Sequence, residues 1–253
     1  MRLTCAARTD PGRRRENNED SFCIREDLGL FLVADGMGGH VGGEIASRLV
    51  VEEVERFVAA TVPAHGAADK AAQDVGSGPG DRLRSSLVEA NHKLADRIAA
   101  DGSLHGMATT AVALLADGEA VALAHVGDSR AYRYRLHRLT RLTRDHSWVE
   151  EQIRAGVLTP DAARRHPWRH VVTRAVAGMA DMDVEVADLS LEPGDRVLLC
   201  SDGLSSVVAD AGIAAVLDDA RPPADVCDEL VGRANAAGGP DNVTVVLVDV
   251  HAD

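Results

Sequence analysis

The sequence predicts an α+β fold built on antiparallel sheets, and three observations carry that prediction. Short apolar runs of strand length come in consecutive groups. Segments with helical spacing come in pairs. The two never alternate in the regular way that builds a parallel sheet. No linker-like stretch or shift in composition divides the 253 residues, so residues 1–253 are expected to form one domain.

The elements follow in order. Leu3 to Leu32 reads as strand, turn, strand, strand. Gly42 to Val62 reads as a helix, because Ile45, Leu49, Val50, Val54, Phe57 and Val58 recur at helical spacing. Ala64 to Gly80 is rich in Ala, Gly, Asp and Pro and reads as a loop. Asp81 to Asp101 is a second helix, with Leu83, Leu87, Ala90, Leu94 and Ile98 on one face. A β-rich block comes next: Thr109 to Leu115, Ala120 to Val126, Arg130 to Tyr134 and Arg138 to Leu142. Asp145 to Gly178 is polar and irregular, with a short helix around Val149 to Ala155. Val184 to Leu189 and Arg196 to Cys200 are strands. Leu204 to Val208, Ala211 to Leu217 and Pro223 to Ala236 are helical, and Val243 to Val250 is the last strand.

Composition narrows the function classes. The chain is 45% hydrophobic and 26% charged, which is ordinary for a globular protein. Its net charge of −13 offers no basic excess to neutralise phosphates, so a nucleic-acid partner is not expected. The same charge repels phosphorylated ligands, so a phosphate site would need local cations. Cys5, Cys23, Cys200 and Cys227 lack Cys-x-x-Cys spacing and read as free thiols. No apolar stretch approaches membrane-spanning length, and the N-terminus has no signal-peptide core. A cytoplasmic protein is expected. The sequence ends at Asp253, so no membrane anchor after this domain is expected.

Acidic residues mark five separated points: Glu19-Asp20, Asp35-Gly36, Asp128-Ser129, Asp202-Gly203 and Asp241-Asn242. Most lie where an apolar run begins or ends. If those strands share a core, their ends gather several carboxylates at one place. Clustered carboxylates repel one another unless cations sit between them, and hard oxygen ligands suit Mg²⁺ or Mn²⁺. A metal-dependent hydrolase is the first reading. The competing reading of each residue is a turn former or a helix cap.

The motifs sharpen this. Thr9-Asp10-Pro11-Gly12 and Arg13 to Asp20 are followed by Val33-Ala34-Asp35-Gly36-Met37-Gly38-Gly39-His40 and Gly42-Gly43-Glu44. Gly106-Met107-Ala108-Thr109-Thr110, Val126-Gly127-Asp128-Ser129-Arg130 and Thr143-Arg144-Asp145-His146-Ser147 follow. Cys200-Ser201-Asp202-Gly203-Leu204 and Gly239-Pro240-Asp241-Asn242-Val243-Thr244 close the set. In this order, over nearly the whole chain, they resemble the metal-dependent protein Ser/Thr phosphatases of the phosphatase-2C type in their bacterial form. The resemblance implies a four-layer α-β-β-α sandwich, two antiparallel sheets flanked by helix pairs, with metals between the sheets at one edge.

It also implies roles. Asp35 would bridge two ions, Mn²⁺ or Mg²⁺. Asp202 and Asp241 would complete the first ion's ligands, and Glu19 and the Gly36 carbonyl would face the second. Asp128, shared with Asp202, would hold a weaker third; its alternative is a tight turn between two strands. Asp20 would orient water, with an arginine partner as its alternative. Arg15 would grip the substrate phosphate through its planar fork. A hydroxide between the metals would hydrolyse phosphoserine or phosphothreonine in proteins. The implied partners are phosphorylated proteins, among them a cognate Ser/Thr kinase and its substrates, in bacterial signalling; neither nucleic acid nor membrane is expected, and a monomer is. Many eukaryotic relatives carry Asp-Gly-His-Gly where this chain has Asp35-Gly36-Met37-Gly38, so their histidine acid is replaced here by Met37. His40 is the nearby candidate proton donor, with water as the alternative. Residues 145–178 correspond to the family's flap, whose Trp148 and Trp168 would contact substrate or anchor the flap. A catalytically silent phosphoprotein-binding module and a metal-dependent hydrolase of small phosphate esters are the competing functions.

Overall fold

The computed structural model describes residues 1–38, 42–61 and 78–252. Two antiparallel sheets face one another. The first has the order β1 (Arg2–Asp10), β11 (Val243–His251), β10 (Arg196–Cys200), β7 (Arg130–Arg135), β8 (Arg138–Arg141). The second runs β2 (Asp20–Arg25), β3 (Leu30–Met37), β5 (Ala111–Asp117), β6 (Ala120–Val126), β9 (Glu185–Leu189), with β4 (Ala108–Thr109) paired to β3. The chain's first and last strands pair along their whole length, from Arg2 opposite His251 to Asp10 opposite Val243.

The strands read as continuous apolar runs because both of their faces are covered. Alternate residues point opposite ways. Phe31, Val33, Leu114, Leu123, Val197, Leu199, Val246 and Val248 fill the space between the sheets. Leu30, Leu32 and Ala34 instead face a helix pair, α1 (Gly42–Thr61) and α2 (Pro79–Ala100). Their stripes, Val50, Val54 and Val58 with Leu83, Leu87, Ala90 and Leu94, are fully buried. On the other side, Leu198, Cys200, Val245 and Leu247 meet α5 (Asp202–Ser205), α6 (Asp210–Leu217) and α7 (Pro223–Ala236). The order of layers is therefore helix, sheet, sheet, helix. Each fully buried Leu, Val or Phe contributes roughly 1.5–3 kcal/mol.

The structure departs from the sequence reading in places. The second helix begins at Pro79, inside the stretch read as loop; proline fits a helix's first turn, where its missing N–H is not needed. Residues 64–77 of that stretch, with 62 and 63 before it, lie outside the described residues. The helix expected over Leu204 to Val208 begins two residues earlier and is a single turn, Asp202–Ser205. The polar segment 145–178 holds two short helices, α3 (Trp148–Arg154) and α4 (Pro160–Ala163), the second capped by the Thr159 hydroxyl accepting from the Ala162 N–H.

Candidate active site

Alternation along β3 places the key carboxylate. Phe31 and Val33 point between the sheets, so Asp35 continues that row at the end where the apolar filling stops. Asp20 is its register partner on β2 and shares its face. Like charges directly opposite on neighbouring strands are destabilising. Asp202 opens α5 just beyond the end of β10, and Asp241 just precedes β11. Glu19, Asp35, Gly36, Asp128, Asp202 and Asp241 line a cleft of about 580 Å³, together with Arg15, Met37, His170 and Asn242.

Backbone contacts set this geometry. Gly36 donates its N–H to the Glu19 carbonyl at 3.1 Å. A Cβ on Gly36 would lie 2.1 Å from the Gly43 carbonyl oxygen, so only glycine lets the start of α1 touch β3. Asn242 is a hub: its Nδ2 donates to the Pro11 and Asn17 carbonyls, and its Oδ1 accepts the Glu19 N–H at 2.8 Å. Thr110 Oγ1 accepts the Asp35 N–H at 3.0 Å and meets Ser129 Oγ at 2.7 Å. Asp128 thus hangs from a segment tied to Asp35. Strands β6 and β7 belong to different sheets, so the tight turn Gly127-Asp128-Ser129 crosses between the sheets and closes no hairpin. A Cβ on Gly127, where φ is +108°, would sit 2.6 Å from the Thr110 side chain.

The electrostatics are severe. Burial, then Asp20, Asp202 and Asp128, push the Asp35 carboxyl well above the usual range. Burial, with Asp202 and Asp241 added, pushes Asp20 up to about 7 despite hydrogen bonds from Thr244 and Ser201. Burial and Asp202 take Asp128 to about 7. Asp202 is raised by burial and Asp241, and it lines the same cleft as Asp35, whose own carboxyl it pushes up. Buried carboxyl groups crowded in this way need protons or cations among them. Asp20 gives a second sign. Its Oδ2 accepts from Ser201 Oγ at 2.8 Å and Thr244 Oγ1 at 2.7 Å, but its buried Oδ1 meets no partner among the described residues. Ser201 spends its hydroxyl there and does not cap α5. An all-oxygen donor set, mutually repelling and with an orphaned acceptor beside it, fits hard divalent cations.

This predicts a pH signature for the metal-free protein. Asp20 and Asp128 have folded pKa values near 7, above the ordinary 3.8. Between those values the folded state binds more protons than the unfolded one, so stability falls as pH rises through the window. The melting temperature in EDTA should drop from about pH 5 to about pH 8, and Mn²⁺ should raise it more at the higher pH. A melting temperature in EDTA that climbs across that range contradicts the assignment.

Arg15 sits at the mouth, half exposed, its Nη2 donating to Asp241 Oδ2 at 2.8 Å. His40 lies outside the described residues. Trp148 packs on His166 and Trp168 at centroid distances of 4.7 and 4.8 Å, and Trp168 is 55% exposed. Three residues to which the sequence assigns no role contribute here. His170 lines the cleft, and its charge acts to lower the Asp202 pKa. Ser201 and Thr244 hold Asp20, which no spacing rule connects to them.

A family model described as "Protein phosphatase 2C" matches residues 12–244. The chain is 38% identical over 248 residues to the serine/threonine protein phosphatase PstP of Mycobacterium tuberculosis, covering 98% of this chain and 45% of that protein. It therefore spans less than half the length of that relative. It is 34% identical to the serine/threonine phosphatase stp of Listeria monocytogenes, covering 96% of this chain and 94% of that one. The crystal structure of the catalytic domain of PstP in complex with two manganese ions superposes with a TM-score of 0.85 at 36% identity, covering 99% of both chains. Among the described residues no helix is long and apolar enough to cross a membrane. The matched segment, the identities and the shared four-layer architecture together establish that this chain belongs to the protein phosphatase 2C family.

Proposed function

We propose that this chain hydrolyses phosphoserine and phosphothreonine in proteins with Mn²⁺ or Mg²⁺, opposing a Ser/Thr kinase in bacterial signalling. The observation that carries this reading is the convergence of Glu19, Asp35, Asp128, Asp202 and Asp241 on one cleft, beside the unpartnered buried Oδ1 of Asp20. Divalent cations, when bound, supply charge neutralisation for a phosphoryl group and a water acidic enough to act as nucleophile near neutral pH. Asp35, Asp202 and Asp241 would hold one ion. Asp35, Glu19 and the Gly36 carbonyl would face a second, and Asp128 with Asp202 a weaker third. Asp20, its Oδ2 fixed by Ser201 and Thr244, presents Oδ1 as an acceptor that orients water. Arg15 offers its fork to the phosphate at the mouth of the cleft. Met37 has no proton to give, so the leaving alcohol takes its proton from water, with His40 the other candidate donor.

The pairing of the first strand with the last supports reading residues 1–253 as one catalytic domain, with 145–178 as its flap. We read the protein as cytoplasmic and monomeric. Phosphate release from a phosphothreonine peptide and from a nucleoside triphosphate, each with Mn²⁺ and with EDTA, tests the proposal. Metal-dependent turnover that favours the peptide supports it. Peptide binding without turnover indicates a binding module, and preference for the nucleotide indicates a small-ester hydrolase.

A further inference from the structure

A second cleft, of about 390 Å³, is lined by Arg144, Asp145, His146, Glu150, Arg174 and Glu185. Two of these, His146 and Glu185, bring ligand-type atoms within 4.8 Å of one another and of the buried His125. Their hydrogen bonds speak against a metal. The Gly127 N–H donates to His146 Nδ1 at 3.1 Å, so that nitrogen keeps its lone pair and the ring proton sits on Nε2, which meets Glu185 Oε2 at 3.1 Å. His125 Nε2 meets the Arg144 carbonyl at 2.9 Å and must donate there. Neither Nε2 has a free lone pair for an ion. Burial lowers the His125 pKa and keeps that ring neutral, stacked on His146 at 4.7 Å.

The same bonds have a direction. His146 grips Gly127 twice, since its own N–H also donates to the Gly127 carbonyl at 2.9 Å. Its carbonyl accepts the Thr173 N–H at 2.8 Å, and the next residue, Ser147, pairs with Val172. Asp128 and Val172 both line the carboxylate cleft. One residue therefore joins the segment that carries Asp128 to the returning arm of the flap.

We propose that His146 is a positioning residue: Glu185 on Nε2 keeps Nδ1 an acceptor, and Nδ1 fixes the Gly127–Asp128 segment and ties it to the flap. The effect on turnover rests on the reading of Asp128 as an ion ligand; the tie to the flap does not.

The test uses the full chain without metal. ¹⁵N spectra of labelled histidine report the tautomer, and trypsin cleavage at the exposed flap arginines, such as Arg164 and Arg169, reports flap opening. Wild type should show the Nε2–H tautomer of His146. His146→Asn keeps an acceptor where Nδ1 was, whereas His146→Gln places its amide near Nε2. Glu185→Gln keeps an acceptor, and Glu185→Ala does not. His146→Gln and Glu185→Ala should speed flap cleavage about tenfold, as expected for an unpaired buried donor, while the Asn and Gln counterparts stay nearer wild type. Because Glu185 is half exposed, its variants remain informative if His146→Gln fails to fold. With Mn²⁺ and phosphopeptide, the two loosening variants should lose kcat in parallel with Asp128→Ala. An Nδ1–H tautomer, or equal cleavage of each pair, overturns the proposal. Loosened flaps with turnover unchanged, in these variants and in Asp128→Ala alike, would uphold the tie and remove the ion role of Asp128.

Discussion

Asp202→Asn is expected to lower phosphopeptide turnover about a thousandfold or more while raising the stability of the metal-free protein. The two effects have one cause. Burial, and then the neighbouring Asp241 carboxylate, raise the Asp202 carboxyl, and Asp35 shares its cleft. Asparagine has nearly the same shape but no charge, so the fold keeps its packing and loses a repulsion. The EDTA-treated variant should therefore melt higher than wild type near neutral pH, where the native carboxylates ionise against their preference. Activity should fall because the ion that Asp35, Asp202 and Asp241 are proposed to hold would lose an anionic ligand. Circular dichroism melts in EDTA, set beside phosphate release with Mn²⁺, check both halves. Turnover above a tenth of wild type, or a lower melting temperature in EDTA, contradicts the ligand role.

The second large effect is expected at Arg15. Arg15→Ala should raise KM for a phosphothreonine peptide ten- to a hundredfold, the loss of a charge-assisted contact of roughly 1.5–3 kcal/mol, with a smaller change in kcat. Arg15 also donates to Asp241 at 2.8 Å, so the variant removes a partner from a prospective ligand. Arg15→Lys separates the two roles. It keeps the charge beside Asp241 but loses the planar fork, and its KM should fall between those of wild type and the alanine variant. A KM that stays at the wild-type value, with a shifted Mn²⁺ requirement, would move Arg15 from substrate binding to support of Asp241.

Much of this was legible in the sequence. The stripe Val50, Val54, Val58 and the apolar runs of β10 and β11 declared their elements, because both depend on local periodicity. Asp35 and Asp202 were visible because each follows an apolar run. What the sequence could not show depends on which strands share a sheet. The segment Gly127-Asp128-Ser129 reads as a tight turn between two strands, and only the sheet order reveals that it crosses between layers. Strand β4 spans two residues, too short for any periodicity. His146 and Glu185 lie 39 residues apart and meet through the pairing of β6 with β9 and the return of the flap. The hydrogen-bond donors to Asp20 were hidden for a similar reason: Ser201 and Thr244 reach it across 181 and 224 residues.

The most direct test of the central claim is a calorimetric titration of the metal-free protein with Mn²⁺, with turnover of the phosphothreonine peptide followed in parallel. The account predicts at least two ions bound per chain, turnover that rises with their occupancy, and fewer ions bound by Asp202→Asn. Turnover that persists undiminished in EDTA, or an Asp202→Asn protein that binds as many ions as wild type, would contradict it.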